Sequence, residues 1–266
     1  MAKIYKMKGK KMRKKFKVNE YIIHKIQNKI NSRGNIDQFA MRFLVNYGVS
    51  YEVLKLSKEN FNKKEYIEYS IKQHIVSLIS YIETLLRDIF IFILKERPIY
   101  YDLVIKEYNL SISGEFDKGN KYLLAEIFNF QNIRDIERAF KVLFENDTFF
   151  EELGSFVVYK YESPDKVIRK LSLDELQPNW IEHLNEIIRI RHNIIHDGNY
   201  KLDLSDKNLI EYKRCILYFG QVFSLYTAYK FNLPVIVIEY EKGEKQIPYF
   251  IWLEDFEYEW EEIDYN

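Results

Sequence analysis

One stretch of the chain is dense in reactive side chains, "RIRHNIIHDG" at residues 189–198. Two arginines and two histidines sit there in a run whose apolar spacing reads as the end of an amphipathic helix. On a wheel of about 100° per residue, Trp180, Leu184, Ile187, Ile188, Ile194 and Ile195 share one face, with Arg191 in its middle. A guanidinium on a core stripe needs a partner, because an unpaired buried charge is very costly. The same exercise over 64–96 puts Glu83 among Val76, Ile79, Leu86 and Phe90. Opposite charges on two apolar stripes imply that Glu83 and Arg191 meet between the helices. The pair is then either a purely structural ion pair or part of a cleft.

His192 and His196 are four apart and share one edge of the helix. Such a pair supports three readings. It can hold a metal ion, but a zincin needs glutamate directly after the first histidine, where this chain has Asn193. With no third ligand evident, no metal or cofactor is expected. It can be two surface histidines without a role. It can also do acid–base chemistry, since imidazole exchanges protons near neutral pH. An adjacent arginine clamps a phosphate and stabilises charge developing on it. That equipment is sufficient to cleave RNA, whose own 2′-hydroxyl is the nucleophile. Residues five apart diverge by about 140° on a regular helix. Arg191 and His196 therefore converge only if the last turn distorts or a second subunit supplies its own copy.

The elements that must position these residues follow from pattern and punctuation. Ile71, Ile75, Ile79, Ile82, Leu86, Phe90 and Ile93 mark one long helix over 64–96, with Pro98 after its end. A second helix begins near Pro178–Trp180 and stops at Asp197–Gly198, where glycine suits a left-handed cap. A third spans 206–231, joined to the second by the short "DGNYKLDLSD". Upstream, "NEYIIHKIQNKI" and "NIDQFAMRFLVNYG" read as helices broken near Ser32–Gly34. Between the long helices, 99–118 is mixed, 122–129 and 133–145 read as helices, and "SFVVYKY" as a short strand. After Pro234 the pattern becomes a hairpin turning at Lys242–Gly243. The plan is a mostly α antiparallel bundle. Residues 1–62 form a basic arm and N-terminal helices, 63–231 the bundle with an insertion at about 99–178, and 232–266 a β-hairpin and acidic tail.

Composition agrees with this plan. The 266 residues hold only 9 glycines and 5 prolines, beside 22 tyrosines and 19 phenylalanines, which favours helix. One cysteine, Cys215, excludes an intrachain disulfide and a cysteine-based zinc site and favours a reducing, cytoplasmic setting. The longest apolar runs, such as "IFIFIL" at 89–94, are too short to span a bilayer, so no membrane partner is expected. Net charge is zero, yet residues 3–17 are basic without an acid and 253–265 acidic without a base. The basic arm suits a phosphate-bearing partner, or else is a solvated tail that pairs with the acidic end.

Arg191, His192, Asn193 and His196, followed by "DG", resemble the arginine–polar–histidine motif of the HEPN superfamily, small helical bundles that include many prokaryotic ribonuclease toxins. The family more often has Asn or Asp directly after the arginine. "LISYIETLLRDIF" (78–90) and "IFNFQNIRDIERAF" (127–140) are similar to segments of abortive-infection members, and the likeness spans roughly 65–231. The resemblance implies a metal-independent endoribonuclease. Arg191 would polarise the scissile phosphate, and His196 would act as general base or acid. His192 would take the complementary proton or orient the site. Asn193 would bond the phosphate or the motif's backbone, and Glu83 would hold Arg191. It also implies an RNA substrate, a homodimer with a composite cleft, a toxin or antiviral role, and an antitoxin or sensor partner. Two other readings stand beside it. One is a non-catalytic RNA- or nucleotide-binding helical module. The other is a scaffold whose C-terminal hairpin and tail dock a protein.

Overall fold

The structure, a computed structural model, describes residues 6–7, 10–11, 35–108, 124–125, 128, 130–163, 166–233, 237–240, 245–248 and 250–252. The chain forms two compact units, one of residues 36–85 with 150–266 and one of residues 1–35 with 86–149. Composition and spacing locate elements along the chain but not which of them pack together.

In the larger unit, helices α1 (Ile36–Asn60) and α2 (Lys64–Glu96, of which residues 64–85 lie here) form an antiparallel hairpin. Helix α1 runs well past Gly48, which is buried inside it, so the expected second N-terminal helix is longer than the pattern suggested. The helix expected at 19–30 lies outside the described residues. Of the basic arm, the strands β1 (Lys6–Met7) and β2 (Lys10–Lys11) pair antiparallel.

The last two helices of this unit, labelled below as α7 (Trp180–His196) and α8 (Asp206–Phe231), have the limits that the sequence indicated. Helix α8 lies antiparallel to α1: the Tyr47 hydroxyl donates to the Lys213 carbonyl at 3.1 Å, and Lys58 pairs with Asp206 at 2.8 Å. Gly220 makes the close approach possible, since a Cβ there would lie 2.6 Å from the Phe43 ring and 3.1 Å from Ile82. Helix α7 packs beside α8, with Trp180 stacked on Phe219 at 5.6 Å and met edge-on by Phe150 at 5.4 Å. Cys215 is buried at this seam, where desolvation pushes its thiol pKa up.

The smaller unit contains the end of α2, then α3 (Ile99–Glu107) and α4 (Ile133–Phe144). Helix α3 occupies what read as a mixed region. Helix α4 starts as expected, with the Asn132 side chain accepting from the Asp135 amide at 2.8 Å. Its core is aromatic, with Phe90 set against Phe128, Phe130 and Phe140 at centroid distances of 5.4, 5.8 and 5.9 Å. Most of the helix expected at 122–129 lies outside the described residues.

Helix α5 (Phe149–Ser155) leads into an antiparallel hairpin of β3 (Val157–Ser163) and β4 (Lys166–Ser172). Strand β3 was legible. Strand β4 was not, because most of its residues are exposed and its sequence, KVIRKLS, is half polar. A short α6 (Leu173–Leu176) follows, closed by a capping box between Ser172 and Glu175. At the C-terminal end β5 (Val237–Tyr240) pairs with β6 (Lys245–Pro248), the hairpin expected around Lys242–Gly243. The Gln221 side chain then bonds both the amide and the carbonyl of Ile251, at 2.8 and 3.1 Å, fastening this segment to α8. The acidic tail lies outside the described residues. Among the described residues no helix is long and apolar enough to cross a membrane.

Candidate active site

Helix α7 carries the motif. Trp180, Leu184, Ile187 and Ile190 form its fully buried stripe. Ile194 and Ile188 are only partly covered, and Ile195 is 46% exposed, so the apolar face does not run to the end of the helix as the wheel suggested. The last turn extends past the core, and most of residues 192–199 are exposed.

The two arginines are used differently. Arg189 lies on the exposed face and binds Glu186 through two nitrogens, a local pair that draws the Glu186 carboxyl below its usual range. Arg191 turns inward, and its terminal nitrogen lies 3.6 Å from the Glu83 carboxylate of α2. Both side chains of that pair are nearly buried, at 13% and 12% exposed. The structure thus brings together the two charges that the separate wheels placed on apolar stripes.

His192 and His196 are exposed and neighbours, their rings 4.3 Å apart and tilted by 44°. Asn193 is half-buried between them in sequence, and its carbonyl accepts the Asp197 amide at 2.9 Å. That is a regular α-helical bond, so the last turn is not distorted. Gly198 does not take the left-handed conformation expected of it. The helix stops because Asp197 turns extended, at φ −124°, and its carboxylate accepts the Asn199 amide at 2.9 Å. With a regular last turn, His196 stays about 140° around the axis from Arg191. Arg191 therefore faces inward to Glu83 while His192 and His196 face outward from the same helix end. Among the described residues no group of three or more His, Cys, Asp or Glu side chains is placed to hold a metal ion.

The loop after the motif is clamped to α2. Lys72 donates to the Tyr200 carbonyl and pairs with Glu68 at 2.8 Å, while Glu68 accepts the Leu202 amide at 3.2 Å. These bonds lower the Glu68 pKa. Together with the α1–α2 hairpin and the Lys58–Asp206 pair, they put the end of α7, the start of α8, the end of α1 and the start of α2 at one end of the larger unit.

The model of the RiboL-PSP-HEPN family matches residues 49–228, about two thirds of the chain. The chain belongs to the RiboL-PSP-HEPN family. The match covers α2, α7 and nearly all of α8, and begins inside α1, further upstream than the likeness at 65–231 reached. No curated protein and no solved structure matches the chain.

A further buried cation outside the motif is Lys213. It sits on α8 between Leu209 and Ile216, both buried, and is itself only 9% exposed. A wheel drawn on α8 would have shown this cation in an apolar stripe, by the signal that singled out Arg191.

Proposed function

We propose that this HEPN protein is a metal-independent endoribonuclease, acting as a toxin or antiviral abortive-infection effector. Family membership supports a ribonuclease-type or RNA-related function. The observation that carries the finer reading is the end of α7, where a nearly buried arginine held by Glu83 adjoins an exposed histidine pair.

In this reading one histidine removes the proton of the 2′-hydroxyl, and the oxygen attacks the adjacent phosphorus. The P–O5′ bond breaks, and the second histidine gives a proton to the departing 5′-oxygen. Products are a 2′,3′-cyclic phosphate and a 5′-hydroxyl. Arg191 stabilises the charge on the phosphorane oxygens. A guanidinium has five donors, more than one carboxylate uses, so pairing with Glu83 is compatible with a second anion. Asn193 serves as a further donor. Because His196 lies around the helix from Arg191, a homodimer that sets two helix ends face to face supplies what one copy does not. An antitoxin or sensor partner would restrain the activity, and the basic arm would add electrostatic grip on RNA.

The test is cleavage of a mixed RNA pool in EDTA by wild-type protein and by the Arg191→Ala and His196→Ala variants. Wild type leaves cyclic-phosphate and 5′-hydroxyl ends, and each variant loses activity by at least roughly a hundredfold. Mixing the two dead variants restores part of the activity, because one composite cleft keeps an intact arginine and an intact histidine. Toxicity in cells follows the same pattern. Equal cleavage or equal toxicity in the variants sinks the proposal; RNA binding without product identifies a binding module instead.

A further inference from the structure

Helix α1 has an outer face that water does not suit. From Ile36 to Ser57 its exposed positions are Gln38, Met41, Val45, Val49, Val53 and Leu56. The five apolar side chains are each 40–58% exposed. Their spacing gathers them within about 120° of the helix circumference. The charged residues of this stretch, Asp37, Arg42, Glu52 and Lys55, are half-buried, so its outermost edge bears no charge. The inner face of the same helix is buried through Phe39, Phe43, Tyr47 and Leu54. A surface helix turns a polar side to water, whereas one that is apolar on both sides is covered on both.

The five side chains present on the order of 400 Å² of apolar surface, the scale at which a contiguous patch marks an interaction site. With its half-buried neighbours the face approaches the roughly 800 Å² that each partner contributes to a stable interface. The order of residues favours a second copy as the cover. Laid antiparallel on that copy, with a twofold axis between Val45 and Val49, Val45 meets Val49 of the second copy, and Met41 meets Val53. The same register sets Arg42 opposite Glu52 of the second copy. Arg42 also interacts within its own chain, and the five donors of a guanidinium serve both. Met41, Val45, Val49 and Val53 form a ridge of fourth residues, which interdigitates with an identical ridge. A parallel pair would instead set Arg42 against Arg42 and Glu52 against Glu52. A different protein would be selected by exposed charge, which this edge lacks.

We propose that α1 is an interface between two copies of this chain, packed antiparallel about a twofold axis between Val45 and Val49. It is separate from the composite cleft of the cleavage reading and does not require it. The end of α1 lies at the motif end of the larger unit, so an antiparallel α1 pair carries its two α7 ends away from each other. The RiboL-PSP-HEPN model begins at Val49, and Met41 and Val45 lie upstream of what it describes.

The test is the number of copies per particle, read by sedimentation at micromolar to submillimolar concentration. Val45→Lys and Val49→Glu each place a charge against a valine of the second copy. Each is expected to halve that number and to weaken association about a hundredfold or more. Mixed in equal amounts, the two variants re-associate, because the antiparallel register brings the introduced ammonium against the introduced carboxylate and leaves the other valine pair intact. Tyr229→Lys, at an exposed apolar position of α8, leaves the number unchanged. Should either α1 variant fail to fold by circular dichroism, Met41→Lys and Val53→Glu, opposite each other in the same register, replace the pair. The proposal is overturned if wild type sediments as a single copy, whether another protein or the chain's own residues cover the face. It is equally overturned if the α1 variants sediment like wild type, or if their mixture stays apart. RNA cleavage in EDTA is scored separately, and neither result decides the other.

Discussion

The two compact units stabilise themselves by different physics. Residues 86–149 pack phenylalanine on phenylalanine, from Phe90 through Phe140 to Phe149, and Asp88 is the one fully buried polar residue there among the described residues. Residues 36–85 with 150–266 bury Ser50, Ser57, His74, Gln177, Lys213, Gln221, Ser224 and Thr227, and nearly bury the Glu83–Arg191 pair. Aromatic packing needs only apolar area and compatible ring geometry. Buried polar groups need partners at defined distances, and each failure is costly. A chain that concentrates the costly kind in one unit concentrates chemical capability there too. The motif histidines and Arg191 lie in that unit.

The largest expected effect tests the aromatic side of this contrast. Phe140→Ala removes a ring that is fully buried against Phe90, Phe130, Phe144 and Phe149, and should cost about 3–5 kcal/mol. Amide hydrogen exchange, read residue by residue, should show the loss first within 86–149. Equal loss in both units would mean that they unfold as one.

The next effect belongs to the polar unit. Glu83→Gln leaves the Arg191 charge without its carboxylate at a nearly buried position, and should cost about 2–4 kcal/mol by urea denaturation. The double variant Glu83→Gln/Arg191→Met should recover most of that stability. If the double variant is as unstable as the single, the pair is not what the cost reflects.

The smallest effect is a pH slope. Burial, aided by the Lys213 and Lys58 charges, pushes His74 down to about 3, while Ser50 holds its Nδ1 at 2.7 Å. The unfolded chain has the ordinary histidine value of about 6.5. Between these values the unfolded state binds a proton that the folded state refuses. The contribution is thus complete above about pH 6.5 and declines as pH falls, by up to about 1.4 kcal/mol per pH unit. His74→Gln should flatten that slope in urea titrations between pH 7 and 5. The exchange of 86–149 should not change with it, since His74 lies in the other unit.

Much of this is legible in the sequence. The limits of α2, α7 and α8 followed from apolar periodicity, with Pro98 after the end of the first and Asp197–Gly198 at the end of the second. The opposed charges at Glu83 and Arg191 stood out because each interrupted an apolar stripe. The histidine pair followed from spacing alone. Strand β4 did not, because an exposed strand has little hydrophobic signal. The cap at Gly198 misled, because a glycine permits a left-handed turn without requiring one.

What the sequence determined by itself, then, is everything set by neighbours along the chain: which segments are helical, where they stop, and which side chains share a face. The tertiary structure decided what depends on residues far apart. It set Lys213 against Tyr51, joined residues 36–85 to 150–266, and left the last turn of α7 regular, so that Arg191 faces Glu83 while His192 and His196 face outward. The physical reason is range. Backbone hydrogen bonds and helical periodicity act within a few residues, whereas burial and charge pairing depend on which distant surfaces meet.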